Sequence, residues 1–183
     1  MEKKSNIVKF FWRVTYSHTI AYFIAGIFAV SVMNYREIFS SDAISSLMLP
    51  VDAPIVALGP LLQILRGIII ALILLPLRKT FFEEKHGLLK LGLIMIGFSL
   101  LSTFGPTLGS FEGYIYTKVS YLYQIFGYPE AIVYFSLFLL SLYFSQKYES
   151  KKIVTVLSII AVVLISFMSI MGFLAASGQI VIK

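Results

Sequence analysis

Two polar residues, Gln63 and Arg66, stand in the middle of a stretch that is otherwise almost wholly apolar, PLLQILRGIIIALILLPLRK at residues 60–79. A guanidinium is always charged, and its planar fork of donors suits carboxylate or phosphate. On a helix, Gly59, Gln63, Arg66 and Ile70 share one face, so the amide of Gln63 stacks one turn from the guanidinium on the same side. Small Gly59 and Gly67 would let neighbouring helices approach that face closely. The chemistry that this pair can do is recognition of an anionic or zwitterionic group.

A guanidinium in apolar surroundings needs a partner. Hydroxyls can solvate it but cannot neutralise it, and no apolar stretch of this chain carries Asp or Glu near its centre. Glu112 is the first candidate, followed by Glu130 and Asp52, each beside the end of an apolar stretch. Other stretches offer small or hydroxyl-bearing stripes that could surround the locus, such as His18, Tyr22 and Gly26, or Tyr134, Ser141 and Ser145. A purely structural role is the direct competitor. Helices in lipid have no hydrophobic drive to associate, and an Arg, Gln and Glu cluster can glue them.

Other candidates are weaker. His18 reads as an interfacial histidine near the inner end of the first apolar stretch, because a metal site needs three or four donors and no others recur at helical spacing. FFEEKHG at 81–87 groups two carboxylates with His86, yet it is not HExxH, and a wet helix end closed by Gly87 explains it. No nucleophile elbow, phosphate loop or dinucleotide fingerprint occurs, so no cofactor and no metal are expected. An enzyme acting on lipid would have to use Glu112 as base with Arg66 as electrostatic stabiliser. The absence of cysteine excludes disulfides, thiolate metal sites and cysteine nucleophiles.

The elements that position these residues are membrane helices. Of 183 residues 58% are hydrophobic, and the mean hydropathy is +0.90. The apolar residues come in long runs rather than on one face of a helix, so their solvent is lipid. A hydrocarbon core about 30 Å thick needs about 20 helical residues. The expected fold is an all-α integral membrane protein, one domain over 1–183, with five transmembrane helices at about 14–33, 54–77, 88–104, 131–144 and 153–176. The fourth is short and must thin the bilayer or borrow from the aromatic stretch before it. The basic start followed by an apolar run resembles a signal peptide, but the run exceeds an h-region of about 7–15 residues and is read as a retained span. From a start at Pro54, Arg66 lies roughly 18 Å along its helix, near mid-membrane.

Eleven of the fifteen Lys and Arg residues fall on one side of this arrangement, including Lys9, Arg13, Arg78, Lys85, Lys147 and Lys151. The positive-inside rule then places the N-terminus in the cytoplasm and the C-terminus outside the cell (plasma) membrane. The net charge of +6 serves orientation and contact with anionic headgroups, not nucleic acid. The second outer loop carries Ile115, Val119, Leu122 and Phe126 at helical spacing amid five tyrosines, which predicts a helix at the outer face, N-capped by Ser110. LGP at 58–60, FGPTLG at 104–109 and FGYP at 126–129 break the chain on that outer side, where irregular backbone can line a cavity. The expected function is therefore binding, in a transport-associated role. An outward-facing pocket of Gln63, Arg66, Glu112 and Glu130 would take a lipid headgroup or small carboxylate. The alternatives are a lipid enzyme or a structural subunit of a membrane complex. The expected partners are the lipid bilayer and other membrane subunits or a homo-oligomer.

Overall fold

The computed structural model describes residues 2–101, 107–149 and 151–180. The described chain is all-helical: α1 (Glu2–Ser31), α2 (Tyr35–Ser40), α3 (Pro54–Leu74), α4 (Gly87–Leu101), α5 (Phe111–Tyr116), α6 (Tyr121–Ile125), α7 (Tyr128–Lys147) and α8 (Lys152–Ala176), with a π-helical turn at Lys79–Glu83. Four segments are long and apolar enough to cross a membrane: Ile7–Ser31 of α1, α3, Tyr121–Lys147 containing α7, and α8. The remaining expected span, the third at 88–104, corresponds to α4, which has 15 described residues. Its expected end at 102–104, and Thr103 with it, lies outside the described residues.

Local sequence sets the helix ends. Pro54 opens α3 at the position where a missing N–H does no harm. Ser110 caps α5 by accepting the Gly113 N–H at 3.0 Å. Asn34, in the left-handed region at φ 54, turns the chain from α1 into α2. Two expectations need correction here. His86, at φ 63, and Gly87 do not close a helix; Gly87 begins α4, and it must be glycine because a Cβ would sit 2.5 Å from the Phe81 carbonyl oxygen. The aromatic segment is not one continuous helix but two short ones, α5 and α6, broken at 117–120.

α1 is the hub. It packs against α3, α7 and α8; α3 also packs on α8, and α4 lies outside on α7. The helices approach closely where side chains are small. A Cβ on Gly67 of α3 would lie 2.8 Å from the Thr15 Cα of α1, and one on Gly92 of α4 would lie 2.7 Å from a Leu139 methyl of α7. Gly59, by contrast, has no such neighbour. Buried Phe10, Val14, Phe81, Leu91, Phe138 and Leu142 tie α1, α4, α7 and the π-helical turn together.

Contacts define the two ends of the bundle. Arg13 pairs with Glu149, Arg78 lies over the Phe10 ring, and Phe10 meets Phe82, so the start of α1 and the α3–α4 and α7–α8 connections share one end. This is the basic end. At the other, Tyr35 donates to Glu130 at 2.6 Å and Arg36 pairs with Asp52 at 3.6 Å.

Candidate functional site

The polar locus is a chain of hydrogen bonds across three helices. His18, from the middle of α1, is fully buried. One ring nitrogen, Nδ1, lies 2.7 Å from the Tyr134 hydroxyl of α7; the other, Nε2, lies 3.0 Å from Gln63 Oε1 of α3. Gln63 Nε2 donates to the Gly59 carbonyl at 3.2 Å, which turns the amide so that its oxygen faces His18. An amide oxygen can only accept, so His18 donates through Nε2, and a neutral ring then accepts the Tyr134 proton at Nδ1. Arg66 Nη1 reaches the same Gln63 oxygen at 3.5 Å, a long contact that orients more than it binds.

Helix geometry explains the arrangement. Side chains on a helix lean toward its N-terminus, so Arg66 points back along α3 toward Gln63 and away from the basic end. Gln63 is buried against α1, while Arg66, further round α3, is exposed together with Leu62, Leu65, Ile69 and Ile73. The guanidinium remains close enough to act electrostatically on His18, Tyr22 and Tyr134. α3 also carries Pro60, where Ser169 of α8 bridges the helix backbone: its hydroxyl accepts from Leu61 N–H at 3.3 Å and donates to the Ala57 carbonyl at 2.6 Å.

Of the expected site residues, the structure brings Gln63 and Arg66 together. Among the described residues no carboxylate lies within ion-pair distance of Arg66. Glu112 sits in the first turn of α5, and Glu130, in the first turn of α7, accepts from Tyr35. Burial, and then the neighbouring Glu130, hold the Tyr35 phenol above its ordinary range. Asp52 is engaged by Arg36. Four cavities lie elsewhere, between α4 and α7, between α1 and the start of α3, beside α2, and at the basic end, and Arg66 lines none of these. No group of three or more metal-ligating side chains occurs among the described residues.

His18 corrects the interfacial reading: it is the centre of the network. The misplacement came from starting the first span at Val14, which puts His18 one turn in. The apolar helix begins at Ile7, so His18 is near its middle. Ile7, Val8, Phe10 and Phe11 were the available signal, masked by Lys9 and Arg13. Comparison with protein-family models, with curated proteins and with solved structures finds no match to this chain.

Proposed function

We propose that the protein is a membrane-embedded binding protein, in a transport-associated role, whose Arg66 receives an anionic or zwitterionic group such as a small carboxylate or lipid headgroup. The observation that supports this is an exposed guanidinium in the middle of an apolar helix with no carboxylate of its own among the described residues. A central Arg costs on the order of 3 kcal/mol on insertion scales, and an incoming anion would offset that cost. Gln63 orients the fork, His18 holds Gln63, and Tyr134 holds His18. The anion comes from outside the bundle, which replaces Glu112 and Glu130 as direct partners of Arg66. A second reading, a subunit of a membrane complex, is favoured by the apolar residues Leu62, Leu65, Ile69 and Ile73 beside Arg66: another protein's helix carrying Asp or Glu would cover that face. The lipid-enzyme reading has less support, since no bond joins Glu112 to Arg66 among the described residues.

In this reading the chain crosses the cell membrane five times, α4 being the third span, with the basic end in the cytoplasm and α5 and α6 on the outer face. Exposed Tyr116, Tyr121 and Leu122 suit that layer. With no native cysteine, single Cys probes at Ser5 and Ser177 can be tested in intact cells with an impermeant maleimide. Labelling at 177 alone is expected, and strong labelling at 5 overturns the topology.

The test of the site is thermal stability in detergent for wild type, Arg66→Leu, Glu112→Gln and the double variant. A guanidinium kept for a ligand leaves Arg66→Leu folded and at least as stable, with coupling near zero. Destabilised single variants coupled by more than about 1 kcal/mol would make the two a structural pair and sink the proposal. Native mass spectrometry then separates the two readings. A small molecule that accompanies wild type and is absent from Arg66→Leu supports the ligand site, whereas a second polypeptide lost in the same way supports the complex.

A further inference from the structure

At the basic end a cavity of about 360 Å³ lies between α1, α7 and α8. Its polar part is built from α1, where Lys9 and Arg13 stand one turn apart, and from the end of α7, where Tyr148 and Glu149 face them. Its apolar part is Val8 of α1 with Val154 and Ile159 of α8. Trp12 joins the two, donating its indole N–H to Ser158 at 3.0 Å and so fixing one wall. The Lys151 ammonium lies 4.8 Å from the centroid of the Tyr148 ring, which brings a third cation beside the cavity.

We propose that this cavity binds the headgroup of an anionic phospholipid from the leaflet at the basic end, with the phosphodiester against Lys9, Arg13 and Lys151 and the acyl chains along Val154 and Ile159. Two cations, Lys9 and Arg13, and one carboxylate, Glu149, line the cavity, with Lys151 beside it on the Tyr148 ring. That carboxylate pairs with Arg13, but a guanidinium has five N–H donors and a carboxylate occupies two of them at most, so donors remain for phosphate. Lys9 forms no ion pair among the described residues. The cavity is polar at the bundle end and apolar along the helices, the same order in which a phospholipid presents headgroup and chain. Basic pockets between membrane helices are the sites where such headgroups bind. The inference is independent of Arg66.

Trp12 is the protein's single tryptophan and lines the cavity, so its fluorescence reports on this site alone. The protein is reconstituted in phosphatidylcholine vesicles containing a fraction of lipid brominated near the head of the acyl chain, either phosphatidylglycerol or phosphatidylcholine. Brominated phosphatidylglycerol should quench Trp12 with an apparent affinity about fivefold or more above that of brominated phosphatidylcholine, the factor expected for one cation at the membrane surface. Lys9→Gln/Lys151→Gln should bring the ratio close to one. Both lysines are exposed, and the melting temperature in detergent confirms that the variant folds. Lys79→Gln/Lys85→Gln, which removes equal charge outside the cavity, should keep the preference. Equal quenching by both lipids in wild type overturns the proposal. So does a preference that survives loss of Lys9 and Lys151, or one that Lys79→Gln/Lys85→Gln abolishes equally, because the attraction would then belong to the whole surface. Equal quenching by both lipids together with a change of Trp12 emission on adding millimolar glycerol phosphate would show that the site takes free phosphate esters and not lipid, which also overturns the proposal.

Discussion

Ile7–Ser31 of α1 and the whole of α8 are both apolar stretches of 25 residues, yet they are used in opposite ways. The most apolar 18 residues of α1 have a mean hydropathy of 1.3 and are 50% buried; those of α8 have 2.8 and are 22% buried. The less apolar helix is the one inside. Thr15, Ser17, His18 and Thr19 of α1 are all buried, and they bond or pack inward: Ser17 meets Ser141 of α7 at 2.8 Å, and His18 joins α3 to α7. α8 turns Ile160, Val163, Leu164 and Phe167 outward. In water this allocation would be reversed. In lipid the outer surface can be as apolar as Leu without loss, and association rests on close packing and interhelical hydrogen bonds, which the hub helix supplies.

The comparison breaks most readily at the tightest approach. Gly67→Leu should lower stability by about 3 kcal/mol, because even a Cβ there meets the α1 backbone and overpacked sites relax poorly. Gly97→Leu on α4, where nothing lies within 4 Å, should change little. Thermal melting in detergent measures both, and equal losses would mean that α1 is no more closely packed than the periphery.

A smaller effect is expected in the polar chain. His18→Leu leaves Gln63 Oε1 and the Tyr134 hydroxyl without their shared partner and should cost about 1–2 kcal/mol. Gln63→Leu added to it should cost less than the sum, with a coupling of about 0.6–1 kcal/mol, the scale of hydrogen bonds between membrane helices. Strict additivity would show that the two side chains do not act together.

The smallest effect belongs to α8. Val163→Ala, on an exposed face, should stay within about 0.5 kcal/mol. A loss as large as that of His18→Leu would mean that α8 is covered by protein, and would sharpen the case for a partner on that side.

The all-helical class was legible in the sequence because long apolar runs have few uses other than burial in lipid or core, and four of the five expected spans correspond to helices long enough to cross a membrane. The Ser110 cap was legible too, since capping is a local bond between residues three apart. The borders were not. The first helix begins before Val14, because Lys and Arg are good helix formers and do not stop a helix. α7 runs Tyr128–Lys147, longer than the apolar stretch 131–144, so it reaches into the aromatic segment.

The sequence by itself determined that Arg66 sits in mid-helix and that Gln63 accompanies it, for both follow from a period of 3.6 residues and a rise of about 1.5 Å each. It also determined that no span brings its own central carboxylate. Only the tertiary structure decided which way each group faces: Gln63 inward to His18, Arg66 out onto an apolar face, and Glu130 to Tyr35. Every face of these helices is apolar enough to meet either lipid or protein. Composition therefore carries no signal for which face is inside, and that choice is made by where small residues permit close approach and where buried hydrogen-bonding groups on separate helices find one another.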